Sequence, residues 1–347
     1  MAFGPSSGSG QAVCISSWQI ILYNNQNDNK MVQVVAGVDI GGTNTIFGLA
    51  DITGKVISES RILTRDYPDI SDFVIALSDG INKLRKEGHD LIGIGIGAPN
   101  AHYYKGTIEL APNLPWKGVI PLAEMMNKRS GVPVVVTNDA NAAAVGEMVF
   151  GGAKNMKNFI VLTLGTGLGS GIVINGEVVY GHTAFAGELG HTTVVPGGRE
   201  CGCGKKGCLE TYASASGLVR TVLQLLSEIK NESSMRDIAP SALTSKIVAE
   251  AAANKDPVAI KAMNYTAEML GLAIINSVAF SSPEAVFLFG GLTKAGDILF
   301  NPVREYVDKN VMPIFKGTVS ILPSGISESN AAVLGAAALA WNELKKQ

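Results

Sequence analysis

Four side chains in one short stretch carry metal-ligating atoms. His191 is followed by Cys201, Cys203 and Cys208 in the run GHTTVVPGGRECGCGKKGCLE, and Cys14 is the only other cysteine in the chain. One imidazole and three thiolates make a four-ligand tetrahedral set for Zn²⁺, and a closed set points to a structural metal. The C-x-C-x₄-C spacing with interleaved glycines suits a tight loop wrapped around an ion. The bland alternative is three reduced thiols. An odd number of clustered cysteines argues against a disulfide, as does the cytoplasmic character of the rest of the chain.

A second chemistry is suggested by two glycine-rich turns. Asp39-Ile40-Gly41-Gly42-Thr43-Asn44 follows one apolar run, and Leu164-Gly165-Thr166-Gly167-Leu168-Gly169 follows another. Glycine lets the backbone turn sharply, so that N–H groups can point at phosphate oxygens. Neither is a Walker loop, and neither opens a helix as a dinucleotide fingerprint does. Singly, each reads as an ordinary β-turn; their recurrence in equivalent contexts favours paired phosphate sites. Asp39, at a strand end, could hold Mg²⁺ directly or through water, or could simply cap the turn. Asn138-Asp139 stands between the run VPVVVT and an alanine-rich segment. A carboxylate there either caps a helix or reaches a cleft as a general base, and Asn141 could cap equally well.

The surrounding pattern supplies a frame for these residues. From Met31, VQVVAGVDI reads as a buried strand, GGTNT as a turn, and IFGLADI and KVISES as two more strands. Ile70, Phe73, Val74, Leu77, Ile81 and Leu84 keep helical spacing, with Gly88 as the stop. LIGIGIGAP is a strand, Pro121 opens a short helix ending near Gly131, VPVVVTNDA is a strand and NAAAVGEMVF a short helix. The order is βββαβαβα. NFIVLTLGTGLGSGIVINGEVVYG then repeats strand, glycine turn, strand, turn, strand, so the opening architecture recurs. Helical patterns fill 212–229, 243–280 and 297–311, VFLFGG is a strand, and AAVLGAAALAWNELKK closes the chain as a helix.

The expected organisation is an α/β protein of two similar lobes with a ligand cleft between them. The first lobe comprises residues 31–142 plus the C-terminal helix 330–347; the second comprises 143–329, with the metal loop at 191–210. Residues 1–30 are expected to be a disordered extension, and Met31 opens the regular pattern. With 28 basic and 30 acidic side chains in 347 residues, the chain offers no basic surface for a nucleic-acid partner. Despite a mean hydropathy of +0.23, no run of about 18 uninterrupted apolar residues occurs, so no membrane-spanning helix is expected. The 40 glycines are about 12% of the chain where about 7% is usual, and they are expected mainly in turns.

Two lobes with paired phosphate turns resemble the actin–hexokinase–Hsp70 superfamily, which implies a two-lobed actin-like (ribonuclease H-like) ATPase fold. In that superfamily Gly290-Gly291 would lie where the nucleotide base and ribose pack. Glu188-x-x-His191, nine residues, then C-x-C-G-x-x-G-C-x-Glu210 resembles the signature of the ROK family (repressors, open reading frames and sugar kinases). With DIGGT, APNLPW, TNDANAAA and LGTGLGSG, the resemblance runs from about residue 34 to the C-terminus. It implies an ATP-dependent hexose kinase, most similar to glucokinases, forming the sugar 6-phosphate. An N-acetylhexosamine (N-acetylmannosamine or N-acetylglucosamine) or fructose kinase shares these motifs, and some relatives use polyphosphate as donor. From another class, the rival is a non-catalytic sugar-sensing regulator. Family repressors carry a helix-turn-helix domain ahead of this core, and the thirty-residue leader here is too short and polar for one.

Matched motif by motif, the resemblance implies that Asp139 is the base acting on the sugar hydroxyl. Asn113, Asn138, Asp139, Glu188, His191 and Glu210 would bind the sugar. ATP and its phosphates would meet Gly165, Thr166, Gly167, Gly169, Gly290 and Gly291, with Asp39, Gly41, Gly42, Thr43 and Asn44 opposite and Mg²⁺ near Asp39. Zn²⁺ would sit on His191, Cys201, Cys203 and Cys208, and the free ring nitrogen of His191 would face a sugar hydroxyl, its orientation held by the metal. The resemblance further implies a cytoplasmic homo-oligomer, a dimer or tetramer, whose partners are hexose and ATP, with neither nucleic acid nor membrane.

Overall fold

The apolar run Val32–Ile40 (β1) becomes the centre of a sheet, as a strand buried on both faces must. The computed structural model describes residues 31–346. The expectations for residues 1–30, including Cys14, lie outside the described residues. After β1 come β2 (Asn44–Ala50), β3 (Val56–Leu63), α1 (Ile70–Leu84) and β4 (His89–Gly97). Three short strands follow, β5 (Ala101–His102), β6 (Thr107–Glu109) and β7 (Val119–Ile120), then α2 (Leu122–Ser130), β8 (Val134–Thr137) and α3 (Asp139–Val149). The second half runs β9 (Phe159–Leu164), β10 (Leu168–Ile174), β11 (Glu177–Val178), α4 (Glu210–Ala213), α5 (Ala215–Glu228), α6 (Ser245–Ala253) and α7 (Pro257–Ser281). It closes with β12 (Ala285–Phe289), α8 (Asp297–Asn310), β13 (Ser320–Pro323) and α9 (Glu328–Lys345).

Two five-stranded sheets result, ordered β3-β2-β1-β4-β8 and β11-β10-β9-β12-β13. In each, the central strand pairs antiparallel with its successor on one side and parallel on the other. The recurrence read from the two glycine turns is therefore a repeated topology. This is the two-lobed actin-like architecture of the hexokinase superfamily.

Local chemistry sets most boundaries. Asp69 caps α1 by accepting the Ser71 N–H at 2.6 Å, and Gly131, left-handed at φ 72°, closes α2. Gly88 does not stop α1, which ends at Leu84; it takes φ 87° in the turn into β4. The helical pattern 243–280 divides into α6 and α7 at Asp256, whose carboxylate accepts the Val258 and Ala259 N–H groups with Pro257 in the first turn. The pattern 212–229 divides at Ser214, which caps α5. The sheet β5-β6-β7 and strand β13 are additions to the sequence reading, because strands of two to four residues are too short to show a period. Helix α7 is long and apolar enough to cross a membrane by length and composition, yet 56% of its most apolar window is buried inside the fold. It packs among α5, α6 and α8 as a core helix.

Glycine does more here than make turns. At Gly37 on β1 a Cβ would lie 2.0 Å from the Val333 carbonyl oxygen, and at Gly95 on β4 only 1.9 Å from that of Ala336. Helix α9 thus rests directly on the backbone of the first sheet. It crosses α3 where Gly146 meets Gly335, a Cβ at Gly146 falling 3.0 Å from the Gly335 Cα. On the opposite side α3 lies against β10, where a Cβ at Gly171 would stand 2.6 Å from the Ala140 carbonyl oxygen. Helix α3 is continuous from 139 to 149, so the expected boundary at 142–143 falls inside it.

Gly95→Ala should destabilise the protein by about 3 kcal/mol or prevent folding, because the methyl meets a helix carbonyl that cannot rotate away. Gly93→Ala, in the same strand, meets nothing closer than a Leu344 methyl at 3.4 Å and should change stability by less than about 1 kcal/mol. Urea denaturation of the two variants compares them, and equal midpoints would refute the close packing of α9.

Candidate active site

The two glycine turns occupy the same place in the two sheets, each joining the central strand to its antiparallel neighbour. In the first, the Gly41 N–H donates to the Asn44 carbonyl at 2.9 Å, and Asn44 already belongs to β2. Thr43 and Asn44 are exposed. Gly42 packs on the loop that carries Asn113, where a Cβ would be 2.5 Å from the Asn113 carbonyl oxygen. That loop is pinned by the Trp116 indole N–H donating to the Tyr67 carbonyl at 2.9 Å. In the second turn, the Gly165 N–H donates to the Gly167 carbonyl, and the Gly169 N–H donates to Thr163 Oγ1 at 3.1 Å. The turn is braced from outside: the Ala215 N–H donates to the Gly165 carbonyl and the Ser216 hydroxyl to that of Thr166. Space beside Gly165 is open, as it is beside Gly291 at the end of neighbouring β12. Gly290, at φ 108°, lies against the Leu164 carbonyl and brings the 290–291 pair to the same sheet edge.

Asn138, not Asp139, provides the α3 cap, its Oδ1 accepting the Asn141 N–H at 2.9 Å. Asp139 takes the first helical position, and one of its oxygens accepts the Ala140 N–H at 2.9 Å. Gly97 lies beneath both acids: a Cβ there would be 3.5 Å from the Asp139 Cα and 3.8 Å from Asp39 Oδ1. Asp39 and Asp139 line one cavity of about 250 Å³ together with Thr163, Phe289 and Gly335. Solvent reaches Asp139, yet protein surrounds it closely, as at the floor of a cleft. Burial raises the pKa of Asp139 above the usual carboxylate range. Burial, with the Asp139 charge second, pushes Asp39 up to about 6. Thr163 and Phe289 escaped the sequence reading; the one available signal was a threonine interrupting the apolar run NFIVLTL just before the turn.

On the second lobe, His191 Nδ1 lies 3.5 Å from Cys201 Sγ, and Cys203 Sγ lies 3.7 Å from Cys208 Sγ. All four ligand atoms fall within 4.8 Å of one another. A tetrahedral Zn²⁺ site places its sulfur and nitrogen ligands about 3.5–3.8 Å apart; the two closest pairs match this spacing, and the donor set is compatible with that ion in chemistry. Nδ1 is the ring nitrogen in the cluster, which leaves Nε2 for another partner. The loop is held by bridges between Thr193 and Cys208 and between Glu200 and Lys206.

Glu210 ties this loop to the second glycine turn. One carboxylate oxygen accepts the Leu168 N–H at 3.0 Å, and the other stands 3.7 Å from Cys201 Sγ. Glu188, just before the His191 turn, is raised by burial, and it feels the charges of His191, Asp139 and Glu210. Glu188 thus lies within electrostatic reach of Asp139, His191 and Glu210, while Asn113 arrives from the first lobe beside Gly42.

The ROK family model matches residues 35–343. A glucokinase of Halalkalibacterium halodurans is 38% identical over 285 residues, covering 80% of this chain and 86% of its own. A xylose repressor of Bacillus spizizenii is 30% identical over 310 residues, covering 88% of this chain and 77% of its own. Among solved structures, a ROK family glucokinase from Streptomyces griseus in complex with glucose and AMPPNP aligns with a TM-score of 0.75 at 34% identity, covering 89% of this chain and 99% of its own. The Glu188–Glu210 signature, the paired glycine turns and the match over nearly the whole described chain agree: this protein belongs to the ROK family.

Proposed function

We propose that the protein is a glucokinase, transferring the γ-phosphoryl group of ATP to the C6 hydroxyl of glucose. The observation that carries this reading is the position of Asp139, a carboxyl of raised pKa that shares one cavity with Asp39 and Thr163 near the ends of the two central strands. Glucokinase relatives at 38% identity support the substrate class. In the proposed reaction Asp139 accepts the hydroxyl proton as the sugar oxygen bonds to phosphorus. The bond from phosphorus to the bridging oxygen breaks in line, and ADP leaves. The amides of 165–169 would receive the phosphates, with the 290–291 pair beside the base and ribose and the 41–44 turn opposite. Asp39 would hold Mg²⁺, which supplies charge neutralisation on the phosphates when bound. Asn113, Asn138, Glu188, His191 and Glu210 would pair with sugar hydroxyls, whose unpaired counterparts in a wrong sugar are costly. His191, Cys201, Cys203 and Cys208 would hold Zn²⁺, which fixes the imidazole so that Nε2 points into the pocket. The reading carries a cytoplasmic location, where thiols stay reduced, and a homo-oligomeric state.

Sugar preference is read from kcat/KM for glucose, mannose, fructose, N-acetylglucosamine and N-acetylmannosamine with coupled ADP detection. Glucose is expected to lead; a leading N-acetylhexosamine or fructose would replace glucokinase by another kinase of this family, and no turnover with any sugar would favour a sensor. Asp139→Asn is expected to lower kcat by about 10²–10⁴-fold while glucose affinity, measured calorimetrically, stays within about threefold. Because a base must be deprotonated and burial raises this one, wild-type kcat/KM should fall with decreasing pH well above the ordinary Asp value of about 4. Elemental analysis should find one zinc per chain, and chelation should lower both Tm and activity. A metal-free chain with unchanged Tm would remove zinc from the account.

A further inference from the structure

Glu147 is buried to 1% exposure in the last turn of α3, and no catalytic assignment uses it. Its position is unfavourable on two counts. A buried carboxylate loses its hydration, and a negative charge near a helix C-terminus opposes the helix dipole. Four hydrogen bonds compensate, and all come from outside the helix. The Gly152 N–H donates to Oε2 at 2.8 Å, the Gly325 N–H reaches Oε1 at 3.0 Å and Oε2 at 3.1 Å, and the Ser324 hydroxyl donates to Oε1.

Those donors belong to the two places where the chain passes between the sheets. Residues after Val149 lead from α3 to β9, and residues after Pro323 lead from β13 back to α9. The crossings touch each other: a Cβ at Gly325 would stand 2.4 Å from the Gly152 nitrogen, and one at Gly151 would stand 2.2 Å from Glu147 Oε2. One carboxylate thus gathers both interlobe crossings onto the far end of the helix whose first turn carries Asp139. Eight residues separate the two acids, about 12 Å of rigid helix.

We infer that Glu147 is a positioning residue, the pin that ties both interlobe crossings to the far end of α3 and so sets where the 165–169 turn stands relative to Asp139. This inference rests on the kinase reading for its catalytic consequence, while the pin itself rests on the crossings alone. Two chain crossings keep a fixed register only where something anchors both to the same element. The glycines at 151, 152 and 325 permit the close approach, and the carboxylate supplies the fixed point.

Glu147→Gln keeps the shape but turns one acceptor into a donor facing backbone N–H groups. Amide exchange by mass spectrometry should speed by about tenfold or more at 151–153 and 324–326 and remain unchanged in α1 and α7. With glucose as substrate, kcat should fall by about tenfold or more while the calorimetric Kd for glucose alone shifts by less than about threefold. Ser324→Ala removes one of the four donors together with the acceptor of the Ile326 N–H, so its exchange is read at 151–153; it should show both effects at smaller size and serves where Glu147→Gln does not fold. Unchanged exchange at the crossings in whichever variant folds would overturn the pin. Exchange rising equally throughout the fold, with kcat and glucose affinity lost in proportion to Tm, would reduce Glu147 to a structural residue and also overturn it. If the wild-type protein phosphorylates no sugar, the kinase reading fails by itself, and the exchange measurement still decides the pin.

Discussion

The position of α3 is the constraint from which the rest of the site follows. The helix lies between two sheets and against α9, and it can do so only because small residues face it from every side. Gly171 and Gly169 meet Ala140 and Ala144 from the second sheet, Gly97 meets Ala142 from the first, and Gly335 meets Gly146 from α9. Interiors are packed as tightly as organic crystals, so one added methyl at such a contact moves the helix rather than compressing a void. A displacement of about 1 Å at reacting atoms costs on the order of a hundredfold in rate. Glycines far from any phosphate are thus as necessary to the site as those in the turns.

Electrostatics in the cleft pull in two directions. The N-terminal end of α3, equivalent to roughly half a positive charge, favours an ionised Asp139. Burial opposes it and prevails, since the carboxyl is raised rather than lowered. Asp39, Glu188 and Glu210 add negative groups nearby, and Glu188 is raised chiefly by burial although His191 pulls it back. Without ligands, such a cluster lowers stability. In the proposed reaction, bound sugar hydroxyls and a cation would relieve the repulsion, the usual exchange of stability for function at an active site.

The duplicated topology separates two tasks. Both phosphate-type turns sit at the repeated position, between the central strand and its antiparallel neighbour. The proposed sugar contacts come largely from what each lobe adds to the repeat: the loop with Asn113 between β6 and β7 in the first, and the segment from Glu188 to Glu210 after β11 in the second. Glu210 joins the tasks, because a single carboxylate touches both the thiol cluster and the backbone of the second turn. The loop with the thiol cluster therefore reaches the second glycine turn through one side chain.

The sequence by itself determined much of this. Strand β1, helix α1, both glycine turns, the four-ligand set and the family were legible because each is written locally, in apolar period, turn chemistry or ligand spacing. The Asn138 cap was ambiguous in sequence, since Asn138, Asp139 and Asn141 are all competent; only the folded geometry shows which carbonyl oxygen meets the Asn141 N–H. Strands β5, β6, β7 and β13 were invisible because they are stabilised by partners distant in the chain rather than by their own pattern. The split between α6 and α7 was signalled by Asp256-Pro257 but masked by a continuous apolar face. What only tertiary structure decided was the meaning of the glycine excess. A glycine in a strand or helix has the same sequence signature whether it faces open space or a carbonyl oxygen 1.9 Å from its missing Cβ. The neighbour that makes the difference comes from some two hundred and forty residues away, when α9 returns to lie on Gly95.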